Sequence, residues 1–322
     1  MQIVDILGPI VVITAIGYWM GRSTIGIEAR TLSTVVILVA TPALIFHTLT
    51  SLHVPPNTIK TMAGAAFLCL ALAGIMGFVL LRIVGAPVRS FLPPLMMPNS
   101  GNVGLPLVVL AFGAEGLQLG VAYFFVVALM QHSVGLSIYA GDLRFSALLR
   151  QPLLYAVAAV LFVTWAGLPV PKIVLTTTEM LGGMMIPAML LLLGITLATL
   201  QITDLRPALM VATGRLSLGI VSAYLVITIL DLKGVVAGTV FLMATMPTAI
   251  INFVLADRYQ HNARQVAGAV VASTLVTFAC LPLLIWTALS ISGGNTDSGG
   301  RALFSLSAPN AEATKMETKT GG

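Results

Sequence analysis

The sequence predicts an all-α polytopic membrane protein: ten transmembrane helices, arranged as a 5+5 inverted repeat with both termini outside. Three observations carry that expectation. The 322-residue chain is 58% hydrophobic and 8% charged, with a mean hydropathy of +1.02, whereas soluble domains carry about 25% charged residues. Its apolar stretches divide into ten segments, each near the roughly 20 residues that a spanning helix needs. Matching proline motifs recur in the two halves.

The spans are expected at about 3–21, 32–52, 61–84, 90–112, 117–140, 152–168, 172–199, 206–230, 234–257 and 264–289. The first contains Asp5 and lacks a basic leader or small-residue cleavage site, so it reads as a span rather than a signal peptide. The third carries Gly64, Gly74 and Gly77, which suit close helix packing. Residues 1–140 form the first repeat, 141–151 a cytoplasmic linker and 152–290 the second repeat. The Gly-, Ser- and Thr-rich stretch 291–322 is expected to be a disordered tail.

Basic residues in short loops set the orientation. Arg22, Arg30, Arg82, Arg89, Arg144, Arg150, Arg206, Arg258 and Arg264 fall on one side, and Lys60, Lys172 and Lys233 on the other. The arginine side is therefore cytoplasmic, in a plasma (inner) membrane. The net charge of +5 is scattered singly between spans, which argues against nucleic acid as a partner. Cys69 and Cys280 lie inside spans and read as packing residues, with no disulfide, metal or cofactor implied.

The fourth span is not built like a helix. Pro98 and Pro106 remove backbone N–H groups, Gly101 and Gly104 loosen the chain, and Asn99, Ser100 and Asn102 are polar. Non-helical backbone survives at membrane depth only when buried in protein or lining a wet cavity. Pro247 breaks the ninth span in the same way, beside Thr245, Thr248 and Asn252. Pro42-Ala43 in the second span matches Pro187-Ala188 in the seventh, and Met97-Pro98 matches Met246-Pro247. Pro187 follows Pro42 by 145 residues and Pro247 follows Pro98 by 149. A five-span repeat must enter the membrane from opposite sides in its two copies, an architecture common among secondary transporters. Spans four and nine would then cross near mid-membrane. Half-helix amino ends suit an anion, and exposed carbonyls suit a cation.

Asn99, Ser100, Asn102, Thr248 and Asn252 are the candidate substrate ligands; capping of the half-helices is the competing role. Arg215, near the middle of span eight, either holds a substrate carboxylate or bonds a carboxylate partner or freed carbonyls near the break. Glu179 in span seven is a candidate proton carrier or an outward-mouth residue. Gln131 and His132 in span five form a candidate proton relay, against the alternative of hydrogen-bonded packing. Tyr123 either bonds substrate or caps a packed interface.

The run Pro98-Asn99-Ser100-Gly101-Asn102-Val103-Gly104-Leu105-Pro106 resembles the signature of the auxin efflux carrier family, which includes plant auxin carriers and bacterial malonate and malate permeases. The Pro-Ala pairs and Met246-Pro247-Thr248-Ala249 resemble it too, and the likeness spans about residues 3–290. It implies a fold similar to bile-acid symporters and sodium/proton antiporters. In that fold spans one, two, six and seven form a scaffold, often dimeric, and spans three to five and eight to ten form a moving transport domain. Two departures stand out. The loop between the halves is about ten residues long, unlike the large loop of long plant carriers, and span nine lacks the Gly-Asn-x-Gly run. The short form resembles the bacterial members.

The expected function is secondary transport of a small organic acid by alternating access, with a coupled proton or the membrane potential as drive. A sodium-coupled symporter of the bile-acid type is the alternative. No Walker motif appears, nor His-Glu-x-x-His or Gly-x-Ser-x-Gly, so neither ATP-driven transport nor an intramembrane hydrolase is expected.

Overall fold

The computed structural model describes residues 2–23, 29–51, 55–142, 149, 151–200 and 202–293. Most of the 141–151 linker and nearly all of the 291–322 tail lie outside them. Among the described residues every regular element is a helix. They are α1 (Gln2–Arg22), α2 (Ala29–Val35), α3 (Thr41–Ser51), α4 (Pro56–Val84), α5 (Val88–Met96), α6 (Leu105–Met130) and α7 (Leu136–Ala140). The second half contributes α8 (Pro152–Trp165), α9 (Lys172–Gly183), α10 (Met185–Thr199), α11 (Leu205–Ile229), α12 (Gly234–Ala244), α13 (Ile251–Arg258) and α14 (Ala263–Ile291). Three π-helical turns, Val36–Ala40, Ser100–Gly104 and Gln131–Gly135, join α2 to α3, lead into α6 and join α6 to α7.

Seven helical segments are long and apolar enough to cross a membrane, and α8 and α12 are shorter apolar helices. The protein is a multi-pass membrane protein. One of the seven, Ser100–Ala140, has 41 residues. Straight, it would run about 60 Å, twice the hydrocarbon thickness of a bilayer. Gly113 prevents that, with φ 63° and ψ −147°, a conformation essentially reserved for glycine. The arms then fold against each other: a Cβ at Gly116 would lie 2.4 Å from the Val108 carbonyl oxygen, and one at Gly120 would lie 2.7 Å from the Val108 side chain. The gap expected between spans four and five, 113–116, falls on this turn.

Proline and glycine set other boundaries. Pro56 and Pro152 stand at the first turns of α4 and α8, where a missing N–H costs nothing. Gly85, with φ 71°, ends α4 while Ala86 N–H bonds back to the Leu81 carbonyl. Three expected spans are not single helices. The fourth stops at Met96, the seventh is divided at Met184 and the ninth stops at Ala244.

Packing gathers the elements into two sets. α1 lies along α10, and α3 lies against α8 and α9. The α1–α10 approach is close because a Cβ at Gly194 would sit 2.1 Å from the Thr14 carbonyl oxygen, and one at Gly17 would sit 2.2 Å from that of Leu191. In the other set α4 packs on α5, α6 and α11, while α12 and α14 pack on each other and on α11.

Candidate functional site

The two broken spans meet where α5 and α12 stop. Pro98 and Thr248 face each other as an antiparallel bridge. Asn99 N–H donates to the Pro247 carbonyl at 2.7 Å, and Ala249 N–H donates to the Met97 carbonyl at 3.1 Å. Each segment thus supplies the partner that a helix would otherwise have given the other, as backbone at membrane depth requires.

Arg215 closes the crossing from behind. It is 2% exposed. Its Nε donates to the Met246 carbonyl at 3.2 Å, its Nη1 to the Leu95 carbonyl at 2.9 Å, and its Nη2 to the Ala244 carbonyl. Gly219, one turn further along α11, allows this approach, because a Cβ there would sit 2.4 Å from the Ala244 oxygen. A guanidinium has five donors in a fixed fork, which matches a cluster of carbonyls freed by two helix ends. Thr248 and Asn252 also sit behind the crossing, both 0% exposed. Ser273 Oγ accepts the Thr248 N–H at 3.0 Å, and Asn252 Nδ2 donates to Thr248 Oγ1 at 3.1 Å.

In front of the crossing lies a cavity of about 300 Å³. Pro98, Asn99, Ser100, Gly101 and Asn102 form one wall, and Gln131, His132 and Phe124 form another. Ser33, Ile37 and Thr41 face it from the second span, Gln151 from the start of α8, and Met189 and Leu192 from α10. Ala249, Ile250, Ile251 and Val254 complete it from the other half of the crossing. All three π-helical turns contribute residues to this one cavity, a placement in keeping with the frequency of π-turns at functional sites.

Several of its buried polar atoms lack protein partners. Asn102 N–H donates to Asn99 Oδ1 at 3.3 Å, which fixes the orientation of that amide. Asn99 Nδ2 is then buried without a hydrogen-bond partner, as are Gln131 Nε2 and Thr41 Oγ1. Buried polar atoms left unpaired are costly, and so they point to a ligand or water. His132 Nδ1 bonds the Ala128 carbonyl at 2.9 Å, so that nitrogen carries the proton and Nε2 is left to act on its own. No Lys, Arg, Asp or Glu is among the described lining residues.

The structure brings Pro98, Asn99, Ser100, Gly101, Asn102, Gln131 and His132 to one cavity. It places the other candidates elsewhere. Gly104 is packed against Met243 and Met246, and Pro106 begins α6. Pro247 belongs to the crossing itself, and Pro42 and Pro187 lie near the starts of α3 and α10. Glu179 is exposed on α9, and Tyr123 is buried in the core. Among the described residues no three His, Cys, Asp or Glu side chains cluster to hold a metal ion. Ser33, Thr41, Gln151 and Phe124 are not marked by the sequence as site residues, and Met189 reads there as a packing residue rather than part of a metal path. Thr41 had a signal, since it directly precedes Pro42, and Gln151 directly precedes Pro152.

Residues 143–287 match a family described as "Membrane transport protein". That stretch of the chain is similar to members of that family. It is the auxin efflux carrier family that the 98–106 run resembles. An uncharacterized transporter of Methanocaldococcus jannaschii is 22% identical over 305 residues, 88% of this chain and 97% of the relative. An uncharacterized transporter of Methanothermobacter thermautotrophicus is 29% identical over 269 residues, 80% of this chain and 88% of the relative. Both alignments are long enough to take in most of each half. The chain is similar to these transporters over most of its length.

Proposed function

We propose that this protein is a secondary transporter of a small organic anion, a mono- or dicarboxylate, which binds in the cavity before the crossing. The observation that carries this reading is a set of three buried groups without partners around the cavity, Asn99 Nδ2, Gln131 Nε2 and Thr41 Oγ1, with no acidic side chain lining it among the described residues. The two amide N–H groups and the hydroxyl can each donate to a carboxylate, and a sodium ion would find no carboxylate ligand among the described lining residues. The amino ends of the Ser100–Gly104 turn and α13 border the same space and add partial positive charge.

Ten crossings in two inverted halves, with both termini outside, are part of this reading. The reciprocal bonds between residues 97–99 and 247–249 support it, because they relate the two broken spans as equivalents. So does the separation of packing into α1–α3 with α8–α10, and α4–α7 with α11–α14, which suits a scaffold and a moving domain. Transport would proceed by alternating access, as the crossing moves against the scaffold and carries the cavity wall with it. Proton motive force or membrane potential is the drive, with His132 Nε2 the group placed to exchange a proton. A scaffold-mediated homodimer completes the reading.

The test is uptake of labelled malonate, malate, lactate and indole acetate by proteoliposomes under imposed pH and sodium gradients in turn. Uptake of at least one acid that follows the pH gradient or the membrane potential is expected. Uptake that requires sodium would replace this reading with the bile-acid type, and no uptake of any acid would end it.

A further inference from the structure

The three carbonyls that Arg215 holds come from both broken spans. Leu95 lies in the last turn of α5, Ala244 ends α12, and Met246 lies two residues beyond it. No acidic side chain is among the partners of this guanidinium. A helix carboxy end carries about half a negative elementary charge, so two such ends come to about −1, which one guanidinium cancels. The other two half-helices present their amino ends to the cavity, and these come to about +1. The described lining residues contain no charged side chain to offset them. Two further observations point to a ligand there: Asn99 and Gln131 are 5% and 8% exposed, and each has a buried amide nitrogen without a partner.

We propose that Arg215 is a positioning residue that sets the charge of the crossing, so that the cavity takes one negative charge and favours a monoanionic carboxylate. This rests on the anion-transport reading above and narrows its substrate class. Arg215 is not a cavity-lining residue and does not touch the ligand. It acts through the carboxy ends of α5 and α12. With those neutralised from behind, the amino ends of the Ser100–Gly104 turn and α13 stand unopposed. Without the guanidinium, four helix ends of alternating sign nearly cancel, and a charged ligand loses its advantage over an uncharged one. A dianion, by contrast, brings one more charge than the intact crossing can match.

The experiment is a charge series of matched shape, bound to the full-length protein in nanodiscs and followed by calorimetry. Malonate, its monomethyl ester and malonamide carry two, one and no negative charges at neutral pH. Lactate with lactamide, and indole acetate with its amide, extend the series. In the wild type the monoanion of a series is expected to bind most tightly. Arg215→Gln should lower the preference for a carboxylate over its own amide about ten-fold or more, and Arg215→Lys should keep that preference even if overall binding weakens. A purely structural role would weaken carboxylate and amide together and leave their ratio unchanged, which would overturn the proposal. If Arg215→Gln fails to fold, the wild-type series still decides: tighter binding of malonate than of its monomethyl ester refutes the single-charge assignment. Absence of binding by any carboxylate in the wild type would instead overturn the anion reading, and this inference with it.

Discussion

Asn99 Oδ1 accepts the Asn102 backbone N–H, and Asn99 Nδ2 is left buried without a partner beside the cavity. The fold uses one end of this side chain and leaves the other unpaired. Asn99→Ala should raise the KM for the transported acid about ten-fold, the loss of one hydrogen bond to a charged group. Asn99→Asp should do more harm, because it puts a second carboxylate where the substrate carboxylate is held. Uptake kinetics in proteoliposomes check both, and equal kinetics for wild type and Asn99→Ala would remove Asn99 from the site. Asn252 belongs to a different class, being 0% exposed and bonded to Thr248 behind the crossing. Asn252→Ala should lower the melting temperature, at a cost of about 1–3 kcal/mol, while the KM stays unchanged. The sequence makes both asparagines conspicuous, since polar residues in an apolar span are rare. It does not say which side of the crossing each one faces. That depends on Ser273 and Arg215, which come from helices distant in sequence. Arg215 shows the same limit: a membrane-centre arginine announces a partner, but only the packing of α11 shows that the partners are carbonyls.

Among the elements, the hairpin at Gly113 was legible and two of the π-helical turns were not. A 41-residue apolar stretch is too long for one crossing, so a turn had to fall near its glycines. Gly113→Ala puts a Cβ on a φ of 63° and should cost about 1–3 kcal/mol of stability. Thermal unfolding of the detergent-solubilised protein measures this, and an unchanged melting temperature would mean the turn can relocate. Two of the π-helical turns carry no comparable sequence mark, whereas Ser100–Gly104 lies in the run that the prolines and glycines already set apart. Val36–Ala40 consists of ordinary apolar residues. The breaks at Pro98 and Pro247 were legible because proline removes a donor wherever it stands. The antiparallel bridge between them needed both halves of the chain in view.

At the scale of the whole molecule, the cavity lies towards the arginine-flanked ends of the helices. Ser33 follows Arg22 and the start of α2, Gln151 precedes α8, and Val254 precedes Arg258. In the topology proposed above that side is cytoplasmic, and on that proposal the cavity opens inward. Ser33→Cys and Gln151→Cys, made in a Cys69→Ser, Cys280→Ser background, should react with an impermeant maleimide from the cytoplasmic side and be protected by a transported acid. Glu179→Cys, on exposed α9, should react from the opposite side. Reaction of all three from one side would contradict the topology.

The bridge between Pro98 and Thr248 also constrains how the protein is made. Asn99 N–H and the Met97 carbonyl find their partners only in Pro247 and Ala249. At a synthesis rate of about 5–20 residues per second, the ribosome needs on the order of ten seconds to deliver that segment, about 150 residues later. During that interval the nascent first half holds unpaired peptide groups that lipid cannot solvate. Integration of the segment around Pro98 is therefore expected to finish only after Pro247 has left the ribosome, and a chain truncated before Pro247 should remain with the insertion machinery as an unfinished client.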